Sequence, residues 1–152
     1  MPVRAVLDTN VWVSALLNPA GAPARILEEF ITGNLDVVIS APLIEELAEV
    51  LGRPRIRRKY GVTNRDVETL LTLIEERAEA VSTTGAVSVC RDPDDDAAVE
   101  TAINGGATHI VSRDEDLTFD PVVAAFLANH EVAVVTVAKF LTLLATQNPR
   151  SA

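Results

Sequence analysis

Cysteines, aromatic residues and long apolar runs are scarce in this chain of 152 residues. Cys90 is the single cysteine, which excludes an internal disulfide and a zinc site built on several cysteines. No run of 18 apolar residues occurs, so we expect no transmembrane helix and no action at a membrane. The first ten residues, MPVRAVLDTN, lack the long apolar segment of a signal peptide. Together these absences predict a protein of the reducing cytoplasm.

Phosphate-binding loops are also missing from the sequence. It contains no G-x-G-x-x-G or Walker motif, which disfavours dinucleotide-dependent and nucleoside-triphosphate-dependent enzymes. The two histidines, His109 and His130, lack the paired spacing of metal ligands, so structural or surface roles are expected for both.

Apolar residues make up 48 % of the chain and recur in two periods, which predicts an α/β fold. Short apolar runs, typical of buried strands, alternate with helical patterns, and this alternation indicates a parallel sheet. The predicted strands cover 3–7, 35–39, 109–112 and 132–137, with 87–90 either strand or loop. The predicted helices cover 11–17, 22–31, 41–51, 64–80, 92–104, 121–128 and 139–146.

Charge is unevenly distributed along the chain, which has 22 acidic and 13 basic residues. A net charge of −9 argues against a non-specific nucleic-acid binder. Five of the seven residues in 53–59, RPRIRRK, are nevertheless basic, and nine acidic residues fall within 92–120. The basic run is either a solvated helix face or a surface that contacts phosphates. The acidic segment suits either a solvated surface or a site for hard divalent cations.

Two acidic residues follow predicted strands directly. Asp8 comes after VRAVL, and Asp114 comes after HIVSR. The carboxyl ends of parallel strands share one edge of a sheet, which is where such folds bind their ligands. Asp8 has no necessary structural duty, because Thr9 or Asn10 could cap the following helix equally well. Asp116, in the same turn as Asp114, is a further candidate.

The helix predicted over 41–51 offers one more acid near its apolar stripe. Glu46 lies beside that stripe, one turn from Leu43 and Val50, whereas Glu45 and Glu49 lie on the solvent side. Spacing alone does not choose between Glu46 and Glu45.

The segment CRDPDDDAAVETA contains four aspartates with different expected duties. Asp92 as N-cap, Pro93 at the first helical position and Asp95 three residues after the cap resemble a capping box. Asp94 suits the positive end of the helix dipole. Asp96 has no capping duty and adjoins the face of Val99, so we favour it over Asp95 as a functional carboxylate.

Several carboxylates in one cleft repel each other and raise one another's pKa values. A bound cation offsets this repulsion, and oxygen ligands suit Mg²⁺ or Mn²⁺. Two such ions can clamp the attacking and leaving oxygens of a phosphodiester.

These motifs, in this order and spacing, resemble the PIN-domain ribonucleases of the VapC-like toxin type. The resemblance rests on LDTNVWVSAL, SAPLIEELAEVL, RPRIRRKYG, CRDPDDDAAVETAINGGATHIVSRDEDL and VVTVAKFL, which together span most of the chain. It implies one domain over 1–152 with a three-layer α/β/α sandwich around a mainly parallel sheet. It also implies metal-dependent endonucleolytic cleavage of RNA that leaves 5′-phosphate and 3′-hydroxyl ends.

Residue by residue, the resemblance implies a catalytic and metal-binding set of acids that includes Glu46 in preference to Glu45. Asn10 and Ser112 match positions that support the site by hydrogen bonds. The basic run would hold the RNA backbone, through Arg53, Arg55, Arg57, Arg58 and Lys59. The implied metal ligands, for Mg²⁺ or Mn²⁺, are Asp8, Glu46, Asp96, Asp114 and, with a less defined role, Asp116.

The resemblance further implies a cognate antitoxin whose basic side chain enters the acidic cleft, and a homodimer. Two other functions remain open from the sequence. A non-catalytic PIN-like scaffold is disfavoured because all four acidic positions are filled. A haloacid-dehalogenase-like phosphatase would need a second acid two residues after Asp8, where the chain has Asn10.

Overall fold

The computed structural model describes residues 2–147, apart from the side chain of Asp116. Strands and helices alternate along the chain, as the two apolar periods predict. The strands are β1 (Val3–Leu7), β2 (Leu35–Ile39), β3 (Glu79–Ala80), β4 (His109–Val111) and β5 (Ala133–Val135). The helices are α1 (Thr9–Leu17), α2 (Ala22–Ile31), α3 (Ala41–Leu51), α4 (Pro54–Tyr60), α5 (Asn64–Arg77), α6 (Asp96–Asn104), α7 (Glu115–Thr118), α8 (Pro121–Ala128) and α9 (Val137–Gln147), with a 3₁₀ turn at Pro93–Asp95.

The five strands form one sheet in the order β3-β2-β1-β4-β5, and every pairing is parallel. Strand β1 lies in the centre, with Val3 opposite Leu35 of β2 and Leu7 opposite Val111 of β4. Helices cover the sheet, so the predicted three-layer α/β/α fold is confirmed. Because β1, β2 and β4 run in the same direction, the residues that follow them meet at one edge.

The core explains why the central strands are almost uniformly apolar. Ala5, Val6 and Ile110 are fully buried between helical layers, as expected for a parallel sheet covered on both faces. Among the helices, α2 packs against α1 and α9, and α3 contacts α5 and α6. Trp12 of α1 meets Phe30 of α2 edge to face, with ring centroids 5.8 Å apart.

The long helix predicted over 64–80 ends earlier than its apolar spacing suggests. Thr63 and Asp66 form a capping box at its start, and the helix stops at Arg77. Ala78 is extended, and Glu79–Ala80 then pairs with β2 as the edge strand β3. A strand of two residues is too short to show a periodic pattern of its own. In the sequence, the apolar spacing of the preceding helix therefore continues through it.

Other elements also differ from the prediction. Helix α1 begins at Thr9 rather than at residue 11, because the Asp8 carboxylate accepts the Thr9 N–H at 2.9 Å and caps it. The short helix α7 forms within the acidic turn after β4, where no helix is predicted, and 87–90, for which strand and loop are both open, is loop. Within the part of the chain that the structure describes, no helix has the length and apolarity required to cross a bilayer.

Candidate active site

The acids that follow β1 and β4 are joined by one serine. Asp8 is only 7 % exposed, and its Oδ2 accepts the hydroxyl of Ser112 at 2.8 Å. The Ser112 Oγ in turn accepts the backbone N–H of Asp114 at 3.0 Å. The serine therefore fixes the Asp8 carboxylate and the start of the Asp114 turn relative to each other.

A cavity of about 350 Å³ opens at this edge of the sheet. Arg53 contributes a cation to its wall, but most of its charged groups are carboxylates. Thr9 and Asn10 supply polar groups, and Val13 and Val50 supply apolar surface. The acidic residues of the lining are Asp8, Glu46, Asp92, Asp94, Asp95 and Asp114.

The structure places Glu46 at the cavity. Its Oε2 accepts the hydroxyl of Thr9 at 2.8 Å, and it is half-buried. Glu45 is exposed and takes no part in the lining. The position of Glu46 at the inner edge of the α3 stripe is what brings its carboxylate over the end of β1.

Of the two adjacent aspartates, Asp95 lines the cavity, whereas Asp96, the predicted third acid, lies outside its lining. The Asp96 Oδ1 accepts the backbone N–H groups of Val89 at 3.0 Å and of Cys90 at 2.9 Å. These bonds tie the 87–90 loop to the start of α6, where the loop amides would otherwise lack partners.

Asp95 does not have the capping duty that the sequence pattern predicts for it. The Asp92 carboxylate accepts the N–H of Asp94 at 2.9 Å, so Asp95 is not needed for the cap. Asp95 instead lies three, four and seven residues before Ala98, Val99 and Ala102, which are all buried. This spacing continues the buried stripe of α6 toward the edge of the sheet. The spacing is only a weak signal for Asp95, because Pro93–Asp95 forms a 3₁₀ turn and not part of the helix.

Burial and mutual repulsion raise the pKa values of three carboxyls in the cavity. Burial is the main cause at Asp8, where the bonds from Ser112 and Thr9 partly counteract it. Burial also raises the pKa of Glu46, against the bond from Thr9. For Asp95, burial together with the charges of Asp8 and Asp114 raises the pKa from 3.8 to about 7. The site thus brings several partly buried carboxyls together in one cavity.

The donor set fits a hard divalent cation. All the acidic ligands offer oxygens, which Mg²⁺ and Mn²⁺ prefer, and a cation would relieve both the burial and the mutual repulsion that raise the pKa of Asp95. Among the side chains that the structure describes, no three acids already converge closely enough to enclose an ion. Mg²⁺ usually retains several waters, so carboxylates that line a cavity without touching suit it.

The predicted basic patch divides into two groups. Arg53 pairs with Glu49, with Nη2 2.8 Å from Oε2, and Arg57 donates to the Leu51 carbonyl and to Asn64. Arg55 and Arg58 are exposed, and the Lys59 Nζ lies 5.3 Å from the Tyr60 ring centroid. Arg53 thus links the start of α4 to α3, and Arg57 links α4 to the end of α3 and the start of α5, whereas Arg55, Arg58 and Lys59 are exposed.

Two predicted site residues remain, Asn10 and Asp116. The Asn10 side chain lines the cavity, and its Oδ1 accepts the backbone N–H of Arg113 at 3.2 Å. It thereby links α1 to the turn that carries Asp114. The prediction for Asp116 concerns a side chain outside the described residues.

The raised pKa of Asp95 predicts a pH-dependent stability difference between the metal-free wild type and Asp95→Asn. Between pH 4 and 7 the folded wild type binds more protons at this position than the unfolded chain, so its stability falls as pH rises. Asparagine does not titrate, so the variant should gain about 2 kcal/mol relative to the wild type across this range, allowing for solvent screening. Urea denaturation at pH 4.5 and 7.5 measures the difference, and a constant difference would contradict the prediction.

Comparison with known proteins agrees with this architecture. Residues 4–116 match the family model described as PIN domain. The uncharacterized protein MJ1680 of Methanocaldococcus jannaschii is 30 % identical over 115 residues, which cover 76 % of this chain and 73 % of that protein. A chain in the crystal structure of VapBC2 from Rickettsia felis, bound to a DNA fragment from its promoter, shares the fold with a TM-score of 0.54. It is 15 % identical, and the match covers 88 % of this chain and 98 % of that one. The family-model match spans most of the chain, and the chain belongs to the PIN-domain family.

Proposed function

We propose that this chain is a metal-dependent endoribonuclease and the toxin component of a type II toxin–antitoxin pair. PIN domains are generally nucleases. The observation that carries the proposal is the gathering of Asp8, Glu46, Asp95 and Asp114 in one cavity at the carboxyl edge of the sheet. Carboxylates with raised pKa values in one cavity are typical of a site that works with a bound cation.

In this proposal Asp8, Asp95 and Asp114 hold Mg²⁺ or Mn²⁺, and Glu46 holds a second ion or acts through water. In this proposal Asp95 has the role of third metal ligand that the family resemblance implies for Asp96. The bound cation supplies positive charge for the phosphate and lowers the pKa of a water. RNA phosphodiesters would be hydrolysed to 5′-phosphate and 3′-hydroxyl ends.

The chain's own residues orient the acids for this task. Ser112 and the Thr9 amide both donate to Asp8, so its two oxygens have fixed directions. The Thr9 hydroxyl donates to Glu46, which couples the end of β1 to α3. Such supporting donors keep carboxylate ligands oriented and are themselves important for metal affinity.

The proposed partners are RNA, a cognate antitoxin and a second copy of the chain, all in the cytoplasm. A cavity lined by six acids suits a basic side chain of an antitoxin, which would compete with the cation for the same carboxylates. The structural neighbour from Rickettsia felis comes from a complex named VapBC2, in keeping with such a partner. The homodimer rests on the family resemblance alone.

Cleavage of a mixed RNA pool in Mn²⁺ tests the proposed function. We expect the wild type to cleave, and we expect cleavage to stop with a chelator and with Asp8→Asn prepared identically. If neither protein cleaves, Trp12 fluorescence during Mn²⁺ titration separates two explanations, because Trp12 lies one turn after Asp8 in α1. Metal binding without cleavage would indicate a narrow RNA substrate, whereas no binding would contradict the metal nuclease and favour a scaffold.

A further inference from the structure

A second cavity, of about 540 Å³, lies beside the acidic one. Its walls include Leu17, Pro23, Tyr60 and Arg113, and it shares Ser14 with the acidic cavity. Because Ser14 lines both, the two cavities adjoin along one face of α1. A strand of nucleic acid held at the acidic cavity would extend into this second space.

Arg113 lies where the two cavities meet. Its backbone N–H donates a hydrogen bond to Oδ1 of Asn10, and its Nη1 donates to the Ser14 hydroxyl at 2.7 Å. A guanidinium carries five N–H donors, so this bond leaves most of them available for a phosphate. The side chain is exposed, and it precedes Asp114 directly in the sequence. Arg113 is therefore a positioned cation next to the acids.

Tyr60 contributes a partly exposed aromatic ring to the second cavity, with the Lys59 Nζ 5.3 Å from the ring centroid. It is 47 % exposed and is the last residue of α4. This helix of seven residues is about 10 Å long, and Arg53 at its N-cap lines the acidic cavity. Helix α4 thus runs from one cavity to the other and presents Arg55 and Arg58 to solvent on the way.

We propose that the second cavity is a nucleotide subsite, in which a base stacks on the Tyr60 ring and the adjoining phosphate binds Arg113. The proposal rests on the proposed function, because it places the scissile phosphate in the acidic cavity. A cation and an exposed aromatic ring beside a phosphodiester site are the two elements that single-stranded nucleic-acid channels combine. The charge of Arg113 and of α4 matches the RNA backbone.

This subsite defines the class of substrate. A base can stack on a side chain only when it is unstacked from its neighbours, as in loops, bulges and single strands. Every base has a π-face, so Tyr60 favours single-stranded RNA without selecting a sequence. Paired RNA should accordingly be a poor substrate at this position.

Binding of two fluorescein-labelled ten-nucleotide probes in Ca²⁺ tests the subsite. One is a single-stranded RNA, and the other has the same ribose-phosphate backbone without bases, so that the phosphate charges are equal. We expect the wild type and Tyr60→Phe to prefer the RNA about tenfold, and Tyr60→Ala to lose most of that preference. Arg113→Gln should weaken the binding of both probes alike. It should also reduce the slope of the logarithm of the binding constant against the logarithm of the salt concentration by about one unit.

The outcomes separate the subsite from the proposed function. If Tyr60→Ala keeps the wild-type preference for bases, or if the wild type binds both probes equally, the subsite is wrong, whatever the cleavage assay shows. The second result would show that the bases contribute nothing to binding. A Tyr60-dependent preference for bases in a protein that neither cleaves RNA nor binds Mn²⁺ would support the subsite while contradicting the nuclease. Melting temperatures of the variants confirm that each folds.

Discussion

Replacing Asp95 by asparagine is expected to reduce metal-dependent RNA cleavage by about 10²–10³-fold while stabilising the metal-free protein. The activity loss follows from removing a charged ligand where the proposed cation would stabilise the reacting phosphate. The stability gain follows from removing a carboxyl whose pKa is raised to about 7 by burial and by neighbouring carboxylates. The same change therefore has opposite effects on activity and on folding.

The adjacent Asp96 provides a matched control for this prediction. Asp96→Asn leaves an amide oxygen that can still accept the N–H groups of Val89 and Cys90, although neutral acceptors bind more weakly than carboxylates. We expect cleavage within a few-fold of the wild type and a loss of about 1 kcal/mol of stability. If Asp96→Asn loses activity and Asp95→Asn keeps it, Asp96 is the third acid after all.

Thermal unfolding with and without Mn²⁺ gives a second readout that does not need the RNA target. A ligand that binds only the folded state at a hundred times its Kd stabilises by about 2.7 kcal/mol. The wild type and Asp96→Asn should both show a rise in Tm with Mn²⁺. Asp95→Asn should start from a higher metal-free Tm and rise much less. An equal rise in all three proteins would mean that neither aspartate contributes to metal binding.

Most of the fold was predictable because its signals are long and repeated. The apolar runs of β1 and β2 match the observed strands. Of the stripe predicted for α3, Leu47 and Leu51 are fully buried, while Ile44 and Ala48 are partly buried. The edge strand at Glu79–Ala80 was not predictable, since both residues are exposed and the strand exists only through its pairing with β2. Pairing with a distant segment leaves no local periodicity.

The candidate site was predictable where topology alone decides the position. Asp8 and Asp114 follow parallel neighbouring strands, so their nearness required only the sheet order. The choice between Asp95 and Asp96 depends on a 3₁₀ turn at Pro93–Asp95, which rotates each side chain relative to a regular helix. The proposed subsite beside Tyr60 cannot be predicted from the sequence, because its residues come from α1, α4 and the turn after β4, which are far apart along the chain.

The second large effect concerns Gly105, which the sequence indicates only as part of a helix stop. Gly106 is the residue with positive φ, at +65°, so it makes the left-handed turn after α6. Gly105 has φ −90° and ψ −1°, which any residue can adopt. A Cβ at Gly105, however, would lie 2.2 Å from Cγ1 of Val38 and 3.0 Å from the Thr101 carbonyl oxygen. The constraint on Gly105 is therefore packing of α6 against β2.

We expect Gly105→Ala to lower the free energy of unfolding by about 2 kcal/mol, or the Tm by about 4–8 °C. Val38 is fully buried in β2, and the Gly105 carbonyl accepts Nε of Arg4 at 2.6 Å, so neither side can move away easily. This clash outweighs the gain of up to about 1 kcal/mol that alanine brings by restricting the unfolded chain.

Urea denaturation of the wild type, Gly105→Ala, Val38→Ala and the double variant forms a double-mutant cycle. The double variant should be more stable than the sum of the single effects by at least about 1 kcal/mol, because truncating Val38 makes room for the new methyl group. Strict additivity would show that Val38 is not what requires glycine at this position.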